Sequence, residues 1–513
     1  MTTTSTAKNG HPATSPAVPQ RHFADLDDRL IFEKSRPAAR GWKIPPSDVK
    51  AKSAADCLRG VALRKTLPAL PELSELEVIR HYTNLSRLNY AISTTFYPLG
   101  SCTMKYNPVA NEVAVSMRGF RDLHPMQDDG SIQGALALAK RVQDYLAEMT
   151  GLPGVTLHPC AGAQGELTAL LVAKAYFADK GESRHLVLIP DSAHGTNPAS
   201  CAIAGLKPVA VKTGPDGLID VEDFKSKITP DVACAMVTNP NTLGLFEERI
   251  GEVAEALHRN GSLLYMDGAN FNAIVGVARP GDFGVDMMHI NLHKTFTQPH
   301  GGGGPGAGPI CVNAALEPYL PVPRVVETKD GYALDESAPK SIGRMRGFAM
   351  NFGVMVRSYA YMRRLGPDGT RAIAEHAVLN ANYLRAKVRD HFFVPYDRTC
   401  MHEFVATTKH QKASGVHAID VAKRLIDLGF HPPTVYFPLV VSEAIMIEPT
   451  ETESKDACDR FASAMATIAR EARETPQVLL DAPVTTPVRR LDEVRAVKSP
   501  ELRFNCCVFE PGT

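Results

Sequence analysis

Asn291-Leu292-His293-Lys294-Thr295-Phe296-Thr297-Gln298-Pro299-His300-Gly301-Gly302-Gly303-Gly304 is the stretch on which the reading of this chain turns. Lys294 follows an apolar segment and precedes backbone stripped of side chains. That arrangement suits an amine that forms a Schiff base beside a bound phosphate, so the segment reads as a pyridoxal phosphate lysine. Alone it decides little, because most lysines are solvated and most glycine runs are loops. The weight comes from what surrounds it.

From about residue 150 the pattern alternates. A helix is predicted at about 164–180, strands at Leu186–Ile189 and Val232–Val237, a helix at about 247–259, and a strand at Leu263–Met266. Short strands interleaved with helices predict an α/β fold with a mostly parallel sheet covered on both faces. Such sheets bind ligands outside the carboxyl ends of their strands. Asp267 ends one strand, where a carboxylate can hold a pyridine nitrogen protonated; its bland alternative is an Asp-Gly turn. His194, in Pro190-Asp191-Ser192-Ala193-His194-Gly195, follows another strand and can lie over an aromatic cofactor or relay a proton. Cys160-Ala161-Gly162-Ala163-Gln164-Gly165 opens a helix with small residues, leaving amides and the positive end of its dipole for an anion. The candidate cofactor set is therefore Ala163, Gln164, His194, Asp267, Asn270, His293 and Lys294, with Lys294, His194 and Asp267 in catalytic roles.

Composition narrows the partners. Lys+Arg and Asp+Glu both total 56, so no basic field exists to hold nucleic acid or an anionic membrane, and a small-molecule substrate is expected. The 10 cysteines show no C-x-x-C and no Cys/His metal spacing, which predicts reduced thiols, no metal and a cytoplasmic protein. No stretch has the apolar length of a membrane span.

Phosphate cradle, ring-facing His194, ring-nitrogen Asp267 and Lys294 occur in the chain order of the aspartate aminotransferase-like, type I PLP-dependent transferase fold. Phe96–Pro108, Asp191–Pro198, Asp267–Ile274, Asn291–Gly308 and Gly429–Pro438 further resemble glycine dehydrogenase (decarboxylating), the P protein of the glycine cleavage system. The length and start resemble the subunit 2 branch. The resemblance implies PLP-dependent decarboxylation of glycine, transfer of the aminomethyl group to the lipoyl arm of H protein, and a dimer of heterodimers with subunit 1. It implies that residues at Ala163, Gln164, His194, Asp267 and Lys294 bind the cofactor. The chain departs from the family pattern at Ser93-Thr94-Thr95 and at Gln298. Tyr97, Ser101, Thr103 and Lys105 are candidates for shaping a glycine pocket. Arg87, Arg344, Arg346 and Arg357 are the arginines weighed for the glycine carboxylate, and His431 and Glu448 read as structural.

The expected organisation is a disordered tail over 1–22, an arm and active-site loop over 23–110, a large PLP-binding α/β domain over 111–364, and a small C-terminal α+β domain over 365–513. In the latter a helix at 373–388, strands at 435–437 and 445–447 and a helix at about 454–471 are predicted. Two other readings stay open: a stand-alone type I PLP decarboxylase or aminotransferase, and a catalytically silent scaffold for an active partner.

Overall fold

The protein is described from a computed structural model, covering residues 27, 29–58, 60–66, 68, 70–299 and 306–502. The tail expected over 1–22 and the glycines 301–304 lie outside the described residues. Packing divides the chain into two units, one spanning 92–481 and the other combining the described parts of 20–91 and 482–513.

The first unit is built on a seven-stranded sheet of β1 (Gly154–Thr156), β2 (Leu186–Pro190), β3 (Lys207–Val211), β4 (Val232–Thr238), β5 (Leu263–Gly268), β6 (Met287–Ile290) and β7 (Ile310–Val312). Their spatial order is β1-β7-β6-β5-β4-β2-β3. Strands β3, β2, β4, β5 and β6 run parallel, and β7 lies antiparallel between β6 and β1. Every residue of β4 and β5 is buried, as strands covered on both faces must be. Alternation then splits each strand between two cores: Leu264 and Met266 join one, Leu263 and Tyr265 the other. The predicted helices appear at Gly162–Asp179 and Ile250–Arg259.

A second layer of sheet follows. β8 (Arg324–Thr328) and β9 (Gly331–Asp335) form a hairpin, and β10 (Phe404–Thr407), β11 (Thr434–Val435) and β12 (Ala444–Ile447) form an antiparallel sheet in the order β10-β12-β11. The helices Ala418–Asp427 and Lys455–Glu474 share its apolar core through Val421, Leu425, Phe461 and Met465. This is the α+β layer expected from the C-terminal pattern. The helix predicted at 373–388 is the second half of Phe352–Val388, which breaks where Gly366 takes φ 63° and ψ −172° ahead of Pro367. The division into two units puts no boundary at this break, near the 365 expected from the sequence.

Two other boundaries differ from the sequence reading. Residues 92–110, assigned to an N-terminal arm, belong with the large unit because Phe96 is buried in the α+β core and Leu99 bridges to Ile447 on β12. Residues 482–502, assigned to the C-terminal domain, instead group with the N-terminal residues. In that second unit Ser74 and Glu77 form a capping box for the helix Glu75–Leu88. Its sole buried residue is His81, while Leu76 and Ile79 are exposed.

Among the described residues no helix is long and apolar enough to cross a membrane, and the eight cysteines there are free thiols. Phe461 is fully buried, with the Phe96 and Phe430 rings centred 5.0 and 5.4 Å away. Phe461→Ala should cost about 3–5 kcal/mol through lost transfer energy and the cavity left behind. Urea unfolding should show this as a lower midpoint at unchanged slope; an unmoved midpoint would contradict the packing.

Candidate active site

Register brings the first part of the site together. Thr238 on β4 pairs with Asp267 on β5, which pairs with His289 on β6, so three polar side chains form one row across the sheet at its carboxyl edge. Asp267 is 2% exposed. Its Oδ1 accepts the Ala269 N–H at 2.9 Å and lies 3.5 Å from His289 Nε2, and its Oδ2 accepts from Asn197 Nδ2 at 3.1 Å. Burial would push this carboxyl up, but His289, the Asn197 amide, the Ala269 N–H and the Lys294 amine together hold it below the ordinary aspartate range. The Tyr265 hydroxyl engages His289 Nδ1 from behind, which fixes the imidazole.

The start of the helix Gly162–Asp179 faces this row. Its N-cap, Ala161, is extended and supplies no side-chain cap, so the first-turn amides keep free donors. Close approach demands the glycines here. A Cβ on Gly162 would sit 2.5 Å from Asn291 Oδ1, and one on Gly308 would sit 2.2 Å from the Ala161 carbonyl oxygen. Gln164 is not among the residues lining the cavity: its Oε1 accepts the Cys160 N–H at 2.7 Å and its Nε2 donates to the Met345 carbonyl at 3.2 Å. That leaves its backbone as the part available to an anion.

A cavity of about 190 Å³ joins these parts, and Ala163, His194, Asp267, Asn270, His293 and Lys294 all line it. Lys294 sits half-buried on the short helix Leu292–Thr295 that follows β6. His194 stands exposed at the mouth, with Nδ1 2.9 Å from Thr196 Oγ1 and its ring edge-on to Phe437 at 5.5 Å. Asn270 donates to the Pro240 carbonyl at 2.9 Å. Its Oδ1 and the Thr238 Oγ1 are buried without a hydrogen-bond partner in the protein, an arrangement that calls for a polar ligand in this cavity. A larger cavity of about 470 Å³ beside Gly366 and Pro367 holds none of these residues.

Several lining residues escaped the sequence reading. Glu166 is buried and accepts hydrogen bonds from the Thr196 and Ser200 hydroxyls at 2.8 and 2.9 Å, tying two helices together beneath the site. Thr238, Asn291 and His289 are also in the lining, and Asn197 orients Asp267. Of the loop candidates, Ser101, at φ 64°, lines the cavity. Tyr97 instead stacks on His431 at 3.6 Å, and buried Lys105 donates to the Thr295 carbonyl and to Glu451. Gln298 points to the Val354 carbonyl, and Thr95 to the Gly429 carbonyl, which gives both departures from the family pattern local structural roles.

Among the described residues no arginine lines the cavity. Arg357 forks onto Glu112 at 2.6 and 2.9 Å, Arg344 pairs with Glu336, and Arg346 binds Asn351. Arg87 belongs to the second unit.

Residues 373–485 match the family described as glycine dehydrogenase, C-terminal domain, and residues 164–304 match aminotransferase class-V. A Listeria innocua protein described as "probable glycine dehydrogenase (decarboxylating) subunit 2" is 53% identical over 476 residues, covering 93% of this chain and 98% of its own. A protein of the same description from Chlorobium chlorochromatii is 52% identical over 484 residues, covering 94% and 100%. In fold, the chain is similar to a crystal structure of an inhibitor-bound glycine decarboxylase (P-protein) of the glycine cleavage system, with TM-score 0.66 and 22% identity over 80% of this chain and 91% of that one. A Thermococcus onnurineus cysteine desulfurase gives TM-score 0.57 at 16% identity over 74% and 95%. A type I PLP-transferase fold therefore underlies the site, and the chain belongs to the glycine dehydrogenase (decarboxylating) subunit 2 family.

Proposed function

We propose that this chain is the cofactor-bearing subunit of a pyridoxal phosphate-dependent glycine decarboxylase that passes the aminomethyl group to the lipoyl arm of H protein. The observation that carries the reading is the convergence of Asp267, Lys294, His194 and an uncapped helix start on one small cavity. Bound there, pyridoxal phosphate would supply an electron sink for the pair released when the carboxylate leaves glycine.

The residues divide the remaining work. Lys294 presents its amine at the end of β6, where it can be joined to the cofactor and later hold or return a proton at Nζ. Asp267, kept ionised by His289, Asn197 and Ala269, offers a fixed negative charge for a ring nitrogen. The amides of Ala163 and Gln164, at a helix start without a side-chain cap, would hold a phosphate. His194 occupies the mouth, where it can cover a flat ring, and its Nδ1 is held by Thr196. Asn270 and His293 complete the lining. We place subunit 1 beside this chain in a dimer of heterodimers, and lipoylated H protein at the mouth. A cytoplasmic setting fits the free thiols.

Exchange of labelled bicarbonate into the carboxyl group of glycine tests the reading directly. Exchange should require this chain, pyridoxal phosphate, subunit 1 and lipoylated H protein together. A visible cofactor band without exchange in the complete mixture would favour a stand-alone PLP enzyme. Lys294→Ala should lose both the band and turnover, and a variant that still turns over would sink the assignment of Lys294. Gly308→Ala should push on the Ala161 backbone and weaken cofactor affinity by about tenfold or more, roughly 1.4 kcal/mol. An absorbance titration showing unchanged affinity would remove the phosphate-cradle role.

A further inference from the structure

A buried pair of carboxyl groups lies beside the cavity and has no part in the roles above. Register explains how it forms. Phe404 on β10 pairs with Ile447 on β12, so the next residues outward, Glu403 and Glu448, face each other where the two strands end. Both are 0% exposed, as is the adjacent His402. One oxygen of each carboxyl is spent on a single loop: Glu403 Oε2 accepts the Ser101 N–H at 2.7 Å and Glu448 Oε2 accepts the Thr103 N–H at 3.1 Å. The other oxygens, both Oε1 atoms, have no hydrogen-bond partner. One carboxylate oxygen of each lies with an imidazole nitrogen of His402 inside a cluster whose atoms are all within 4.8 Å of one another, and His402 Nε2 is 3.7 Å from Glu403 Oε1.

We propose that Glu403 and Glu448 share one proton and act as a positioning pair, clamping the Ser101–Thr103 loop over the Lys294 cavity. Two carboxylates this close and this buried cannot both ionise without large mutual repulsion, and a proton held by the pair removes it. The loop needs holding, since Ser101 and Thr103 take φ of 64° and 28°, a region costly for side-chain-bearing residues. Burial and the neighbouring carboxyl hold Glu403 far above the usual range, and burial pushes Glu448 up to about 7. The charges facing the pair are Lys294 and Lys105, which favour ionisation of Glu448, with Lys294 also acting on Glu403. Lys105 is itself paired with Glu451 at 2.6 Å. His402, pressed down to about 3 by burial and the two lysines, is neutral and adds no charge. The Cys102 thiol, raised by burial, is also neutral. Two nearby ammonium groups oppose a metal cation among these oxygens and leave a proton as the occupant.

The pair rests on the proposed reading only in that Lys294 is taken as the reactive amine; its geometry stands without it, and so does its test. Infrared spectra of the cofactor-free full chain at pH 6 should show a buried protonated-carboxyl band that is weakened in Glu448→Gln and lost only when Glu403 is changed to Gln as well. Gln keeps an acceptor for the Thr103 amide and a donor toward Glu403, so it mimics the singly protonated pair but cannot titrate. In the unsubstituted chain, hydrogen exchange at the Ser101 and Thr103 amides, corrected for its intrinsic pH dependence, should speed at least fivefold as the pair loses its proton. In Glu448→Gln that rise should vanish, and in Lys294→Ala it should move to higher pH because a facing ammonium is gone. The sign also appears in stability. The folded chain binds the proton more tightly than the unfolded one, whose value is near 4.5, so unfolding stability falls as pH rises from there to about 7, and the fall should be shallower in Glu448→Gln. No protonated-carboxyl band in the unsubstituted chain, an unchanged exchange profile in Glu448→Gln, or a stoichiometric divalent metal in the purified protein would each overturn the pair. Loss of glycine exchange with these signatures intact would count against the decarboxylase reading instead.

Discussion

The site is organised around one buried charge. An ionised carboxylate taken out of water costs several kcal/mol unless donors replace its hydration, and Asp267 receives an amide, a backbone N–H and a neighbouring imidazole in place of water. Each donor comes from a different element, so the charge fixes where those elements stand. Asn197 brings the helix Thr196–Ile203, His289 brings β6, and Ala269 brings the turn after β5. Register makes the arrangement all-or-nothing: a one-residue slip of β5 would turn Asp267 to the opposite face and leave Asn197 and His289 without it.

A second constraint is the absence of room around the helix start. Gly162 and Gly308 let the Ala161 backbone, Asn291 and the residues after the glycine-rich stretch meet at contact distance. That crowding brings a helix start, with its unpaired amides, next to Lys294. Both line the same cavity as the Asp267 carboxylate, which the Lys294 amine helps to hold below the ordinary range.

The sequence exposed those parts of the fold whose signal is local. Long buried runs such as β4 and β5, and helices with a clear apolar period, emerge within a few residues of their observed bounds. Lys294, His194 and Asp267 were legible because each follows its own strand and carries unusual chemistry for a strand tip. Short strands were not: β3 is half exposed at a sheet edge and β7 has three residues, so neither develops a period. Partners supplied by another strand were also hidden. Nothing local marks Thr238 or His289 as neighbours of Asp267, and Glu448 reads as a strand-end carboxylate until the β10–β12 register sets it opposite Glu403. The loop 96–108 reads as irregular from its polar, Gly- and Pro-containing sequence, but its place in the α+β core depends on Phe96 finding Phe430 and Phe461, more than 300 residues away in sequence.

Among the described residues no arginine lines the cavity, and on the proposed reaction an arginine clamp there would have a cost. A bidentate guanidinium clamp would stabilise a substrate carboxylate in the ground state, and that stabilisation is forfeited as the group leaves as neutral carbon dioxide. An enzyme that keeps the carboxylate gains from such a clamp; one that expels it loses rate to it. Arg344, Arg346 and Arg357 are held by Glu336, Asn351 and Glu112. Lys294 lines the cavity, and its field acts on Asp267 and on the Glu403–Glu448 pair alike.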